Sequence, residues 1–79
     1  MQGRITTTRG GVMQDGTVKW FNESQGYGFI QPAQGGDDVF VRYQAIRGEG
    51  FRTLKTGQSV RYRAEHSHLG WQAVEVALT

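Results

Sequence analysis

Three short runs of the chain place aromatic side chains next to basic ones at a spacing typical of β-strands. The runs, with Phe51 following the third, are Lys19-Trp20-Phe21-Asn22, Gln25-Gly26-Tyr27-Gly28-Phe29-Ile30 and Val39-Phe40-Val41-Arg42-Tyr43. Small soluble proteins normally bury aromatic residues, because each one removes a large apolar area from water. Here the rings alternate with glycine or valine, which predicts a sheet with valines inward and rings outward. Exposed rings beside basic residues can stack the unpaired bases of a single-stranded nucleic acid.

The alternation of side chains along a strand assigns the residues of these runs to two faces. Tyr27 and Phe29 share one face of the second strand. Phe40 and Arg42 share one face of the third, and we expect all four side chains to project outward together. The residues of opposite parity, with apolar residues from other segments, form the expected core: Val18, Ile30, Val39, Val41, Ile46, Leu54, Val60, Tyr62 and Val76.

Trp20 does not fit simple alternation, because it has the same parity as Val18, which the core needs. A β-bulge near Lys19 would place Val18 inside and Trp20 outside. Without a bulge, Trp20 would be partly core and Phe21 would join the outward rings. Both Trp20 and Phe21 therefore stand among the candidate binding residues.

Turn-forming residues divide the chain from Gly16 onward into five short strands. The strands are predicted over residues 17–22, 27–31, 38–42, 59–65 and 71–78, with one helical turn over residues 43–46. No segment shows the 3.6-residue period of an amphipathic helix. The predicted fold class is therefore all-β, and a closed five-stranded antiparallel barrel is the economical arrangement, because it removes exposed strand edges.

The composition limits the chain to one domain with a small core. It has 79 residues and no cysteine, which excludes a disulfide framework and a thiolate metal site. The formal net charge is +2, but from residue 14 onward seven basic and seven acidic residues cancel. A nucleic-acid binder that depended on charge alone would be far more basic. If the domain binds nucleic acid, stacking must therefore supply much of the affinity.

Residues 1–13 are polar and aperiodic, and we predict that they form a flexible N-terminal arm before a domain over residues 14–79. Met13 is a second plausible start, so the arm is either a native extension or a start-site artefact. No apolar stretch resembles a signal peptide or a transmembrane helix, which predicts a soluble, cytoplasmic protein without a membrane partner. We expect a monomer; pairing of the arm with an edge strand of a second copy, or strand exchange, would give a dimer.

Taken together, these motifs resemble the cold-shock domain of bacterial cold-shock proteins. The resemblance is carried by Gly16-Thr17-Val18-Lys19-Trp20-Phe21-Asn22, Gly26-Tyr27-Gly28-Phe29-Ile30, Asp38-Val39-Phe40-Val41, Gly48-Glu49-Gly50-Phe51 and Leu54-x-x-Gly57-Gln58-x-Val60. It spans residues 16–76 and implies an oligonucleotide-binding barrel (OB-fold). It also implies a protein that binds single-stranded RNA or DNA without a cofactor, and that acts as an RNA chaperone, transcription antiterminator or regulator without ATP.

Matching positions give the site residues that the resemblance implies. The rings that would stack bases are Trp20, Tyr27, Phe29, Phe40, Tyr43 and Phe51. Lys19 would meet a phosphate or a base edge, and Asp38 would accept a hydrogen bond from a base. The chain departs from the family at Gln25, where a lysine is usual, and at Arg42, where a histidine is usual. Arginine stacks through its guanidinium plane and stays charged, so Arg42 can replace the cation lost at Gln25.

The last hairpin departs from the family as well, because His68-Leu69-Gly70-Trp71 stands where a basic residue and a Gly-Pro pair are usual. Trp71 either stacks a further base or plugs the end of the barrel beside Leu69, and we favour the plug. Arg61 and Arg63 are predicted to lie on a solvated strand face, with phosphate contact as the alternative.

Other chemistries find little support in the residues. His66-x-His68 has a metal-like spacing, but without a third ligand we predict a turn with two solvated histidines and no bound metal. No serine has a convincing His/Asp partner and no glycine-rich phosphate loop is present, so we expect that the protein is not an enzyme. The alternative to nucleic-acid binding is a protein-interaction barrel whose aromatic groove receives a proline-rich peptide.

Overall fold

Five strands and one 3₁₀ turn are formed by the residues that the computed structural model describes, 13–47, 53–68 and 70–78. The elements are β1 (Gln14–Asn22), β2 (Tyr27–Pro32), β3 (Val39–Arg42), the 3₁₀ turn (Tyr43–Ala45), β4 (Ser59–Ser67) and β5 (Gly70–Leu78). All five strands predicted from the sequence are confirmed, with ends displaced by at most three residues. The predicted N-terminal arm lies outside the described residues except for Met13.

The strands close into a barrel in the order β1-β2-β3-β5-β4. Residues 14–17 of β1 pair with β4 and residues 16–22 pair with β2, so the strand has both neighbours at residues 16 and 17. Four of the five pairings are antiparallel as predicted, but β3 and β5 run parallel and meet at Phe40 and Gln72. Strand direction cannot alternate all the way around a closed ring with an odd number of strands. A five-stranded closed barrel therefore needs one parallel seam, and here it lies between β3 and β5.

The interior of the barrel holds all nine apolar residues that the alternation assigned to it. Two alanines, Ala64 and Ala73, complete this core, and every member is less than one-tenth exposed. The largest core side chain is Tyr62, and burial raises the pKa of its phenol above the usual value. The core fixes which side of each strand faces outward, and so it determines which residues can reach a ligand.

A bulge interrupts β1 where the conflict between Val18 and Trp20 requires one. The pairing with β2 shifts register between these two residues, so that Val18 lies opposite Ile30 and Trp20 lies opposite Phe29. Val18 is buried in the core, whereas Trp20 is exposed. The extra residue in the bulge is Lys19, and the predicted bulge is confirmed.

Phe21 follows the bulge and packs, partly buried, against the core. Its ring lies against Gly28, since a Cβ added there would stand 2.8 Å from Phe21 Cδ1 and 2.2 Å from the carbonyl oxygen of Trp20. Gly28 is thus explained by the close approach of β1 and β2, which leaves no room for a side chain. With the bulge present, Phe21 turns toward the core and does not join the outward rings, as the condition stated for it required. Its place among the candidate binding residues stays a prediction.

Candidate nucleic-acid interface

Four rings on the outer side of β1, β2 and β3 form a continuous cluster, which we call the aromatic surface: Trp20, Tyr27, Phe29 and Phe40. Ring centroids are 5.6 Å apart for Trp20–Tyr27 and 5.4 Å apart for Trp20–Phe29. They are 5.7 Å apart for Tyr27–Phe40 and 5.5 Å apart for Phe29–Phe40. Each ring therefore contacts two others. The planes are tilted or edge-on to one another, which fixes the rings without covering them face to face.

The strand register explains why these rings meet. Trp20 lies opposite Phe29, and Phe29 lies opposite Phe40, so three rings form a row across three adjacent strands. Side chains directly opposite on neighbouring strands are close enough to interact. The bulge in β1 is essential to the row, because it brings Trp20 rather than Lys19 into the position opposite Phe29.

The rings are accessible to different extents. Trp20 is 39% exposed, whereas Tyr27, Phe29 and Phe40 are half-buried. The expected outward projection is present, although the neighbouring rings cover part of each other. Each ring therefore keeps only part of its surface accessible to a ligand, and Trp20 is the most exposed of the four.

Tyr43 extends the aromatic surface past the end of β3. Its backbone N–H donates to the carbonyl oxygen of Gly26 at 2.9 Å, and its side chain is 47% exposed. Gly26 has φ +79°, and a Cβ there would stand 3.0 Å from Tyr43 Cδ1. Glycine at this turn therefore lets the tyrosine ring lie directly over the backbone. A groove of about 380 Å³ runs between Tyr43, Tyr27 and Phe40.

Arg42 supplies the cation nearest to the rings. Its guanidinium carbon lies 5.4 Å from the centroid of the Phe40 ring, within the range of a cation–π contact. The side chain is exposed, and no carboxylate of the described residues pairs with it. Arg42 therefore keeps its hydrogen-bond donors open to a ligand.

Lys19 and Asp38, which the resemblance assigns to separate contacts with nucleic acid, bind each other. Lys19 Nζ donates to Asp38 Oδ2 at 2.8 Å, with both side chains partly exposed. The pair links the bulge of β1 to the residue before β3. A phosphate that engages Lys19 must therefore compete with this carboxylate.

Trp71 lies at the border of the aromatic surface and is 42% exposed. Its ring stands edge-on to His66, with centroids 4.9 Å apart, and it shares a groove of about 230 Å³ with Phe29, Phe40 and Arg42. This exposure does not fit a buried plug of the barrel end, so the structure favours the alternative in which Trp71 is available to a ligand.

A second outward face, which we call the charged surface, includes the strand face predicted for Arg61 and Arg63, but the carboxylates that pair with these arginines were not predicted from the sequence. It consists of Asp15, Arg47, Arg61, Arg63 and Glu75. Glu75 accepts from Arg63 Nε at 3.1 Å and is also bonded by Arg47, whose backbone N–H donates to the carbonyl oxygen of Val76. The pKa of the Glu75 carboxyl is lowered, first by the hydrogen bond from Arg63 and further by the charges of both arginines. Arg61 lies 3.4 Å from Asp15.

The remaining expectations concern single features. Phe51 and Leu69 lie outside the described residues, so their predicted roles are untested. Among the residues that the structure describes, no cluster of three metal-ligating side chains occurs. No helix in the same part of the chain has the length and apolar character that would let it cross a membrane.

Comparison with known proteins gives a consistent result across sequence and structure. The sequence profile of the 'Cold-shock' DNA-binding domain matches residues 14–79. The chain is 56% identical over 64 residues to cold shock-like protein CspLB of Listeria monocytogenes, covering 81% of this chain and 96% of that protein. It is 55% identical over 60 residues to cold shock protein CapA of Pseudomonas fragi, covering 76% and 94% respectively. A solved structure described as drosophila Unr CSD456 shares the fold, with a TM-score of 0.71 at 15% identity over 86% of this chain and 27% of that one.

Proposed function

This chain belongs to the cold-shock domain family, whose members bind nucleic acids, and we propose that it does so by stacking unpaired bases of RNA or DNA on the aromatic surface. The observation that carries the proposal is the row of mutually contacting rings from Trp20 through Phe29 to Phe40. Every base has a π-face, so such a row accepts successive bases with little dependence on sequence.

The proposed site combines the rings with the polar residues around them. Its members are Lys19, Trp20, Tyr27, Phe29, Asp38, Phe40, Arg42, Tyr43, Phe51 and Trp71. Each stacked base would contribute about 1–3 kcal/mol. The phosphates would face solvent, where Lys19 exchanges its bond to Asp38 for a phosphate oxygen. Duplexes are excluded, since their bases already stack on one another.

We further propose that binding opposes the refolding of RNA hairpins in the cytoplasm without ATP. A ligand that binds only the open strand shifts the equilibrium toward that strand by mass action. An RNA chaperone or transcription antiterminator needs no more than this passive capture. The expected consequence is that opening depends on protein concentration and not on nucleotide hydrolysis.

The binding test is a titration with the heptamer dT7, with Trp20 and Trp71 fluorescence as the readout. Stacking should quench the fluorescence, with half-saturation at micromolar concentration or below, and an RNA of matched sequence should also bind. A stable duplex of the same length is the control and should leave the fluorescence unchanged. If neither single strand changes the fluorescence but a proline-rich peptide does, the proposal is overturned in favour of a protein-interaction barrel.

The chaperone test uses a fluorophore-labelled RNA hairpin whose ends separate on opening. Adding protein without ATP should raise the fraction of open hairpin in proportion to occupancy. Phe40→Leu, which keeps an apolar side chain without a ring, is the matched variant and should open much less. If the wild-type protein binds dT7 but never opens the hairpin, the chaperone role is overturned while binding stands.

A further inference from the structure

A groove at the seam of the barrel lies between the aromatic surface and Trp71. It holds about 230 Å³ and is lined by Phe29, Phe40, Arg42, Ser67, Gly70, Trp71 and Gln72. Phe40 and Arg42 also line the groove on the Tyr43 side. The seam groove is therefore continuous with the aromatic surface, and Arg42 stands where the two grooves meet.

The groove exists because β3 and β5 are joined at one point. Among the described residues, their parallel pairing has a single register pair, Phe40 with Gln72. On the far side, the turn between β4 and β5 is held by Ser67 Oγ, which donates to the carbonyl oxygen of Gly70 at 3.0 Å. Trp71 follows this turn and rests edge-on against His66. The ring is thus held at the rim of the groove.

Arg42 differs from most other cations of the described part of the chain. Lys19, Arg47, Arg61 and Arg63 each pair with a carboxylate. Arg42 has no such partner there, and its guanidinium carbon lies over the Phe40 ring, 5.4 Å from the ring centroid. A guanidinium carries five N–H donors in a planar fork and no acceptor. The groove therefore contains the guanidinium of Arg42, with its N–H donors open to a ligand, beside the rings of Phe40 and Trp71.

We propose that the seam groove is a guanine-selective subsite, in which one base stacks on Phe40 or Trp71 while Arg42 donates to its O6 and N7 atoms. The inference rests on the proposed function, because it assigns a base preference to one position of the same single-stranded ligand. The other positions keep the loose preference expected of stacking alone.

The choice of guanine follows from the donors that Arg42 presents. Guanine offers two adjacent acceptors, O6 and N7, which match the arginine fork. Adenine offers N7 beside the N6 amino donor, which faces the guanidinium unfavourably, and thymine offers one carbonyl on the same edge. Cytosine has adjacent O2 and N3 acceptors, but its single ring covers less of an aromatic side chain than a purine does.

The test is a guanine scan through dT7, in which one thymine at a time is replaced and the affinity is measured by tryptophan quenching. For one position of the scan, the guanine-substituted heptamer should bind at least about fivefold more tightly than dT7, as expected for a bidentate arginine–guanine contact. Replacing that guanine with 7-deazaguanine, which lacks the N7 acceptor, should remove most of the gain. A phosphate contact of Arg42 would give no such dependence on N7.

Matched variants separate the fork from the charge. Arg42→Lys keeps a cation but loses the planar fork, so the ratio of guanine-substituted to dT7 affinity should fall to about one. Trp71→Ala should lower the same ratio. Arg61→Lys, on the charged surface, should leave the ratio at the wild-type value.

The outcomes distinguish this inference from the proposed function. If dT7 does not bind at all, the proposed function fails. If dT7 binds but no position prefers guanine, if another base is preferred at that position, or if Arg42→Lys keeps the preference, the guanine subsite is overturned while base stacking stands.

Discussion

The aromatic surface and the charged surface are both built on the outside of one barrel by the same alternation of residues, yet they present opposite chemistry. On the aromatic surface the outward side chains are rings, and the cation beside them, Arg42, has no carboxylate partner among the described residues. On the charged surface three arginines are matched by Asp15 and Glu75. Positive and negative charges are therefore paired on one part of the barrel surface, whereas Arg42 beside the rings has no carboxylate partner among the described residues.

Net charge is therefore a weak guide to the ligand of this protein. The charges of Arg47, Arg61 and Arg63 are offset by the carboxylates that they contact, which weakens their attraction for a polyanion. A ligand that approaches the aromatic surface meets one open guanidinium and the Lys19–Asp38 pair.

Removing a ring from the aromatic surface should have the largest effect on binding. Phe40→Ala deletes the ring that contacts both Tyr27 and Phe29, and it should weaken dT7 binding about 5- to 150-fold, the equivalent of about 1–3 kcal/mol for one stacked base. Phe40→Leu keeps apolar packing and should lose nearly as much. Leu78→Ala, an exposed apolar truncation on β5, is the control and should bind as the wild type does. Normal binding by both Phe40 variants, with melting curves that show a folded barrel, would contradict the assignment.

The support beneath the rings should be sensitive to a single methyl group. Gly28→Ala places a Cβ against the Trp20 carbonyl and the Phe21 ring, and should lower the free energy of unfolding by about 1–3 kcal/mol through overpacking. Gly35→Ala is the matched control: its φ is +89° but nothing lies within 4 Å of the added Cβ. Thermal or urea unfolding should rank Gly28→Ala as the more damaging change. An equal or smaller loss at Gly28 would mean that β1 and β2 separate at no greater cost than the backbone strain of alanine at φ +89°.

The charged surface should contribute to stability in a pH-dependent manner. The pKa of Glu75 is lowered from 4.5, so its ionised form stabilises the fold above the pKa of the unfolded chain, and this contribution is lost as the pH falls through the lower, folded pKa. Glu75→Gln should therefore reduce the melting temperature at pH 7, and the difference from wild type should shrink below about pH 4.5. Glu65→Gln, an exposed glutamate on the neighbouring strand β4, is the control and should show a smaller difference. A constant difference from pH 7 to pH 3 would exclude the ionised pair as the cause.

The smallest effect should be that of the charged surface on binding. With two or three phosphate contacts, log K of the wild type should fall with log[salt] at a slope of about −1.5 to −2. Arg61→Gln should change dT7 affinity by less than about twofold and leave this slope unaltered, because Arg61 lies on the charged surface near Asp15. A slope shallower by about 0.7, the contribution of one phosphate to single-strand binding, would place Arg61 in the interface.

Much of the fold followed from residue parity, because a thin barrel leaves each strand one inward and one outward side. Even the bulge could be predicted, because regular alternation would place Val18 and Trp20 on the same side of β1, whereas Val18 is needed in the core and Trp20 among the outward rings. In β5 the alternation does not predict which residues enter the core. A register shift beside Arg63 and Ala64 leaves Val74 unpaired and exposed, so that Ala73 and Val76 both enter the core. Nothing in the alternation of β5 indicates this shift, because valine and alanine suit either side.

The polar contacts of the site were less accessible to sequence reasoning. Lys19 and Asp38 are 19 residues apart, and their pairing depends on the side to which the bulge turns the lysine. The bond between Glu75 and Arg63 depends on the register of β4 against β5, which the sequence does not specify. The parallel seam, by contrast, could have been deduced from the odd number of strands alone.

The closure of the barrel bears on how this protein tolerates its own exposed rings at high concentration. An open sheet with an exposed apolar side would also present unpaired N–H and C=O groups along its edge strands. This combination promotes the pairing of strands between molecules and the growth of fibrils. In the described strands, each one has a neighbour on both sides. The chain can thus expose hydrophobic rings to a transient ligand, while its paired strands leave a second copy few of the backbone hydrogen bonds from which aggregates are built.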